Sequence, residues 1–311
     1  MKSDFFDNKR RKFMIDSARI AGAAAFINAI PLSAAGSPQG NAMNFVTLNN
    51  GVKMPILGFG TYNLRGARGQ SAILSAINVG YRLIDTAQMY GNEIEVGNAV
   101  ATAINYGVLR EDFFITTKLS SNMTYDEVMK RFDDSMRKLQ LEYLDLLLIH
   151  SNYRNAKEMY RAMEALHKDG KIKSLGLSNF NAEAFGDFIQ NCEIIPAVNQ
   201  CQTHIFYQQK ALREAMKESG VILESWSPFV SGQSNFFRNP TLMSVAKNYN
   251  KSVAQIALRF LIQQGIVAIP KSENELRMVE NISIFDFALS SEDMDRLSKM
   301  DTGKSSFSWD T

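Results

Sequence analysis

The chain has 311 residues, 45% hydrophobic and 21% charged, which excludes disorder over its whole length and allows one large α/β domain or two ordinary ones. Its 34 Lys and Arg against 32 Asp and Glu leave a net +2, too near balance to imply nucleic acid or an acidic surface as partner. Two cysteines, Cys192 and Cys201, are too few for a disulfide framework and lack metal-ligand spacing, so buried free thiols are expected in preference to one bridge, and no metal is expected.

In chain order, the first stretch does not read as part of the fold. "NKRRKFMIDSARIAGAAAFINAIPLSAAGS" places paired Arg10 and Arg11 before an Ala-rich apolar run and then small residues around Ala34 and Ala35, the layout of a signal peptide. The twin arginine followed by Lys12, Phe13 and Met14 resembles the signal of the twin-arginine export route, whose cargo crosses already folded. Residues 20–32 are too few and too weakly apolar to span a bilayer permanently, and no later segment reads as a transmembrane helix. The expected division is a leader over residues 1–42 and one barrel over 43–311, with a periplasmic product; a basic amphipathic helix that stays on a cytoplasmic protein is the alternative. The leader holds six basic and three acidic residues, so the remainder is close to −1.

Beyond it, short apolar runs alternate with amphipathic segments. "MPILGFG", "YRLID", "DFFITTK", "YLDLLLIH", "KIKSLGLSN", "PAVNQ", "GVILESWS" and "GIVAIPKS" read as eight buried parallel strands. Segments such as "ARGQSAILSAINVG", "TYDEVMKRFDDSMRKLQ", "NAKEMYRAMEALHKDG" and "QQKALREAMKESG" carry apolar residues at helical spacing. Thr124 before Glu127 forms a capping-box pattern, and Gly170 and Gly220 stand where helices stop. Eight strand–helix units predict an α/β fold, a (β/α)8 TIM barrel. "NPTLMSVAKNYN" and "SSEDMDRLSKM" add two extra helices, and "FVSGQSNFFRN" is a long loop. A doubly wound sheet is the rival, but no strand leads into the Gly-rich turn of a dinucleotide fingerprint.

In such a barrel, reactive groups sit at the C-terminal strand ends. The second, third and fourth runs end at Asp85, Lys118 and His150, and Tyr90 follows the second. Singly, Asp85 also fits a strand-end cap, Lys118 a surface charge and His150 a satisfied core imidazole. On one rim they read as a tuned proton donor: Lys118 lowers the pKa of Tyr90 toward working pH, Asp85 keeps Lys118 charged, and His150 holds a substrate oxygen.

"GFGTYNLRG", "YRLIDTAQMYGNEIEVGNAV", "KIKSLGLSNF", "NQCQTHIF", "LESWSPF" and "IPKSENELRMVEN" together resemble the aldo-keto reductase family over residues 44–311, in particular its compact-tailed bacterial members similar to diketogluconate reductases. The resemblance implies reduction of aldehydes and ketones by NADPH, with NADH as the alternative, on a barrel without metal or flavin. It assigns Tyr90 as proton donor, Lys118 and Asp85 as its tuning pair and His150 as the substrate-orienting group. By the same matching, Gly60 and Thr61 lie in the first-strand loop, Ser178, Asn179 and Gln200 grip the nicotinamide carboxamide, and Trp226 stacks on its ring. Ser227 and Phe229 lie along the pyrophosphate, Lys271, Ser272 and Arg277 hold the 2′-phosphate, and Glu280 and Asn281 flank the adenine.

Two departures stand out. The family commonly has Trp-Pro after the fourth-strand histidine, where this chain has Ser151 and Asn152, so the substrate pocket is expected to be roomier and more polar. Glu273 adds an anion beside the proposed phosphate pocket. The short tail is expected to leave the pocket open on its side. A carbonyl reductase is the leading reading; an NAD-linked alcohol dehydrogenase running in reverse and a nicotinamide-binding sensor without turnover are the alternatives. Partners are a small carbonyl substrate and, for the leader, the twin-arginine export machinery.

Overall fold

The computed structural model describes residues 45–233 and 235–307, so the leader expected over residues 1–42 lies outside the described residues. Eight parallel strands form one sheet in strictly consecutive order: β3 (Gly58–Gly60), β4 (Leu83–Asp85), β5 (Phe114–Leu119), β6 (Leu144–Ile149), β7 (Ile172–Ser178), β8 (Val198–Gln202), β9 (Ile222–Trp226) and β10 (Val267–Ala268). Each overlaps one of the eight apolar runs, β5 running one residue and β8 two residues past the end of its run. The first and last strands meet through a parallel bridge between Leu57 and Ala268, with Ala268 N donating to Ile56 O at 3.1 Å and Gly60 N to Pro270 O at 3.1 Å. Consecutive order closed on itself makes this a (β/α)8 barrel and excludes the doubly wound alternative.

All six residues of β5 and all six of β6 are buried, which is why these strands read as unbroken apolar runs rather than as alternation. Close packing between strands demands glycine in places. A Cβ at Gly176 would stand 2.5 Å from Leu148 Cδ2 and 2.7 Å from Val198 O, so any larger residue there would push β7 away from both neighbours.

The barrel is wrapped by α1 (Gly66–Val79), α2 (Glu93–Asn105), α3 (Tyr125–Leu139), α4 (Ala156–Lys168), α5 (Ala182–Ile189), α6 (Lys210–Met216), α8 (Val253–Ile262) and α9 (Glu275–Ile282). The two extra helices are α7 (Pro240–Tyr249) and α10 (Ser291–Ser298). Helix α3 buries Val128, Phe132, Ser135 and Leu139 at spacings of four and three, and its start is the expected box between Thr124 and Glu127. Such a cap contributes about 1 kcal/mol by satisfying amides that the first helical turn leaves without partners. Gly170 (φ 72°) just past α4 and Gly220 (φ 66°) after the 3₁₀ turn Lys217–Ser219 that follows α6 both adopt the left-handed conformation, as their positions require.

One element has no counterpart in the sequence reading. β1 (Phe45–Thr47) and β2 (Lys53–Pro55) form an antiparallel hairpin. The side chain of Asn49 donates to Pro196 O at 2.8 Å and that of Asn50 to Lys173 O at 3.0 Å. These bonds pin the hairpin to the N-terminal ends of β7 and β8, opposite the rim that carries the polar strand ends. Both cysteines are free thiols, Cys201 buried and Cys192 half-buried.

Candidate active site

The polar residues at the strand ends converge on the C-terminal rim. Lys118, the penultimate residue of β5, is fully buried, and its Nζ donates to Asp85 Oδ1 at 2.6 Å, to Thr86 O at 3.0 Å and to the Tyr90 hydroxyl oxygen at 3.4 Å. Three oxygens thus receive the three N–H bonds of one ammonium. Because Tyr90 accepts from Lys118, its own O–H is free to point elsewhere. Tyr90 ends the 3₁₀ turn Gln88–Tyr90, closed by left-handed Gly91 (φ 64°), and Arg65 Nε grips its carbonyl at 2.7 Å. Its ring meets that of His150 edge-on at 5.8 Å.

Electrostatics at the rim differ from expectation in one respect. Burial pushes the Tyr90 phenol above its ordinary value, and the Lys118 ammonium offsets only part of that. Tyr90 is therefore a firmly protonated phenol, not one lowered toward working pH. The burial of the phenol among Tyr62, Lys118 and His150 is what the sequence could not show. Burial works against the charge on Lys118, but Asp85 and Tyr90 together outweigh it and hold the ammonium above its usual value. Burial also raises Asp85, with Lys118 and Gln200 pulling it back; the 2.6 Å contact keeps the pair ionic. His150 is lowered to about 3, first by burial and then by Lys118, so its imidazole is neutral.

Beneath this group lies a buried network. Gln200 Nε2 donates to Asp85 Oδ2 at 2.8 Å and to Glu224 Oε2 at 2.9 Å, so its amide hydrogens are used and its carbonyl oxygen is the atom left for a ligand. Glu224, fully buried in β9, is pushed up to about 8 by burial and then by the charge of Asp85. Asn92, also fully buried, donates to Thr61 O at 2.8 Å and Leu64 O at 2.9 Å and accepts from Thr86 Oγ1 at 2.7 Å, tying the loop after β3 to the Tyr90 turn. Ser120 Oγ stands 2.9 Å from His150 Nδ1.

A cavity of about 1560 Å³ runs across the rim. Every residue assigned to the cofactor lines it except Ser178, together with Asp85, Tyr90 and His150. Ser178 is buried, its Oγ donating to Gln200 O at 2.9 Å. Gly60 and Thr61 form one wall at the end of β3, with Thr61 Oγ1 on Asp85 O at 2.8 Å. Asn179 (φ 59°) donates to His150 O at 2.9 Å and accepts from Trp226 Nε1 at 2.8 Å, which fixes the indole across the cavity. Ser227 and Ser231 pair their hydroxyls at 3.1 Å in the loop that carries Phe229.

At the far end, Lys271 and Ser272 precede α9, whose first turns carry Arg277 and, beyond it, Glu280 and Asn281. Lys271 Nζ is paired with Glu273 at 2.8 Å, and Ser252 donates to the Glu280 carboxylate. The tail does not leave the pocket open: Phe307 lines the cavity and packs on Trp226 at 5.4 Å, while Ser305 Oγ donates to Gln202 Oε1 at 2.6 Å.

Sequence reasoning passed over Glu224, Asn92, Ser120 and Phe307. Only Glu224 carried a signal, a carboxylate inside the apolar run "VILESW".

The site is thus a Lys–Asp ion pair set against a tyrosine at the cavity rim of a closed parallel barrel. The aldo/keto reductase family model matches residues 56–302, and the chain belongs to that family. It is 44% identical over 255 residues to a glyoxal reductase of Bacillus subtilis, covering 81% of this chain and 91% of that one. Morphine 6-dehydrogenase of Pseudomonas putida is 37% identical over 273 residues, covering 83% and 91%. Among solved structures, a Bombyx mori aldo-keto reductase in complex with NADP superposes with a TM-score of 0.79 at 34% identity, covering 84% of this chain and 94% of that one. The protein is an NAD(P)H-dependent aldo-keto reductase.

Proposed function

We propose that the protein reduces neutral aldehydes or ketones with NADPH and that Tyr90 donates the proton. The observation that carries this reading is the Lys118 contact, in which an ion-paired ammonium donates to the Tyr90 oxygen at 3.4 Å. That arrangement stabilises a phenolate as it forms without removing the proton beforehand. His150 directs a neutral imidazole at the same oxygen of the substrate, and Tyr90 and His150 together hold the charge that develops there. The donor set fits a nicotinamide dinucleotide phosphate: Trp226 offers a fixed flat face, Gln200 a free carbonyl oxygen, and Lys271, Ser272, Arg277 and the start of α9 an anion site. When bound, the reduced nicotinamide supplies the two electrons and the hydrogen that convert a carbonyl carbon to a carbinol.

Beside Tyr90 the cavity is lined by Tyr62 and Met89, and its wall also carries Tyr153 and, against Trp226, Phe307. Among the described residues the lining cations are Lys271 and Arg277, both at the α9 end, which favours uncharged carbonyl compounds at the Tyr90 end. A relative named as a glyoxal reductase supports the reductive direction. The sensor alternative is disfavoured because mere binding has no use for Lys118 buried against Tyr90.

The test is nicotinamide fluorescence titrated with NADPH and NADH, followed by turnover of a panel of carbonyl compounds by wild type and Tyr90→Phe. The variant is expected to bind NADPH as wild type does and to lose roughly 10²- to 10⁴-fold in kcat. Undiminished turnover by the phenylalanine variant removes Tyr90 from the chemistry.

A further inference from the structure

Ser120 lies two residues beyond Lys118, immediately after β5, and touches three segments of the site. Its Oγ stands 2.9 Å from His150 Nδ1 and 3.1 Å from Lys118 O, and it accepts from Met89 N at 3.2 Å. Met89 is the residue before Tyr90. Ser120 does not line the cavity, whereas His150 does.

A hydroxyl carries one hydrogen, and here two acceptors compete for it. If it goes to Lys118 O, Nδ1 must itself be N–H to bond Ser120, and a neutral ring then has a bare lone pair at Nε2. A lone pair facing a carbonyl oxygen repels it. If the hydrogen goes to Nδ1, the ring keeps its own hydrogen on Nε2, the nitrogen with no hydrogen-bond partner among the described residues. The shorter contact is the one to Nδ1, and donation from Met89 N–H into Oγ makes the hydroxyl a stronger donor. Because His150 stays neutral well below pH 7, its tautomer, not its charge, decides what it offers to a substrate.

We propose that Ser120 is a positioning residue that fixes the tautomer of His150, giving its hydroxyl hydrogen to Nδ1 so that Nε2–H is presented to the substrate carbonyl oxygen. The inference rests on the reading of His150 as the group that bonds that oxygen. It also joins the tyrosine turn to the histidine through one hydroxyl, so that both groups addressing the substrate oxygen share a support.

The chain has three histidines, so long-range ¹⁵N–¹H spectra of histidine-labelled protein can resolve every ring, with His150→Gln identifying the relevant one. His167 serves as an internal standard: its Nδ1 is 2.7 Å from Ile172 O, a carbonyl that can only accept, so it carries Nδ1–H. In wild type, His150 is expected in the opposite form, with hydrogen on Nε2. Ser120→Ala is expected to shift that ring toward Nδ1–H and to lower kcat/KM for carbonyl reduction roughly tenfold, about the loss of one hydrogen bond, with NADPH affinity unchanged. Ser120→Thr, which keeps the hydroxyl, is expected to restore both readouts. A wild-type His150 carrying Nδ1–H overturns the proposal, as does an alanine variant whose tautomer and kcat/KM match wild type. Should wild type reduce no carbonyl compound, the functional reading fails, while the spectra still decide what Ser120 does to the ring.

Discussion

At the scale of single residues, the barrel mouth encloses two carboxyl groups around one ammonium. Asp85 takes Lys118 directly, and Glu224 is reached through Gln200, with Glu224 Oε1 left without a hydrogen-bond partner among the described residues. Two buried anions beside one cation would leave an uncompensated charge, and the raised value of about 8 means that Glu224 avoids this by keeping its proton. A stability consequence follows from linkage. Between the ordinary carboxyl value of 4.5 and about 8, the folded chain holds a proton that the unfolded chain has released. Stability is therefore unaffected by this group below that window and falls as pH rises through it, by at most about 1.4 kcal/mol per pH unit. Glu224→Gln keeps an acceptor for Gln200 and has no proton to lose. Urea midpoints measured from about pH 5 to pH 9 should decline for wild type and flatten for the variant, relative to one another, across that window. Parallel curves would mean that Glu224 is already ionised at neutral pH.

At the scale of elements, the turn between β10 and α9 assembles an anion site from local chemistry. Asn274 caps α9 by accepting from Arg277 N at 3.1 Å, and Ser272 Oγ accepts from Asn274 N at 3.0 Å, so the turn and the helix start are one rigid piece. Glu273 sits in the same turn, paired with Lys271 at 2.8 Å and 3.7 Å from Arg68. An incoming 2′-phosphate must compete with this carboxylate for Lys271. Glu273→Gln is accordingly expected to tighten NADPH binding about two- to fivefold, the range of an exposed ion pair, and to leave NADH unchanged. Added salt should shrink the difference. Equal gains for both cofactors would place the effect elsewhere than at the 2′-phosphate. The same elements show what a sequence can disclose. Strands buried on both faces leave apolar runs, and the polar residue ending each run marks the rim, so Asp85, Lys118 and His150 were legible. The β1–β2 hairpin, with three-residue strands and little burial in β1, leaves no such pattern. Phe307 against Trp226 and Ser120 against His150 are contacts between distant segments, written in no local period. The raised Tyr90 phenol depends on how much water the finished barrel excludes, which no neighbour in the chain records.

At the scale of the whole molecule, the cavity draws on residues at the ends of β3, β4 and β6 to β10, with Lys118 of β5 beneath it, so the cofactor site exists only once the barrel has closed. We propose that the paired Arg10 and Arg11 direct the protein through the twin-arginine route to the periplasm, a route that carries folded cargo. Nicotinamide nucleotides are made in the cytoplasm, and a barrel that must fold before transport can bind its cofactor there. Binding at a hundredfold excess over Kd stabilises the folded state by about 2.7 kcal/mol, which also favours the closed form that the route accepts. After transit the bound nucleotide can no longer exchange with the cytoplasmic pool, so only slow release keeps it. Full-length protein expressed in a Gram-negative host is therefore expected in the periplasmic extract with close to one nicotinamide nucleotide per chain. Changing Arg10→Lys and Arg11→Lys together should hold it in the cytoplasm with its reductase activity intact, because both positions precede the family match that begins at residue 56. Wild type confined to the cytoplasm would favour the retained basic helix, and nucleotide-free protein in the periplasm would separate export from cofactor carriage.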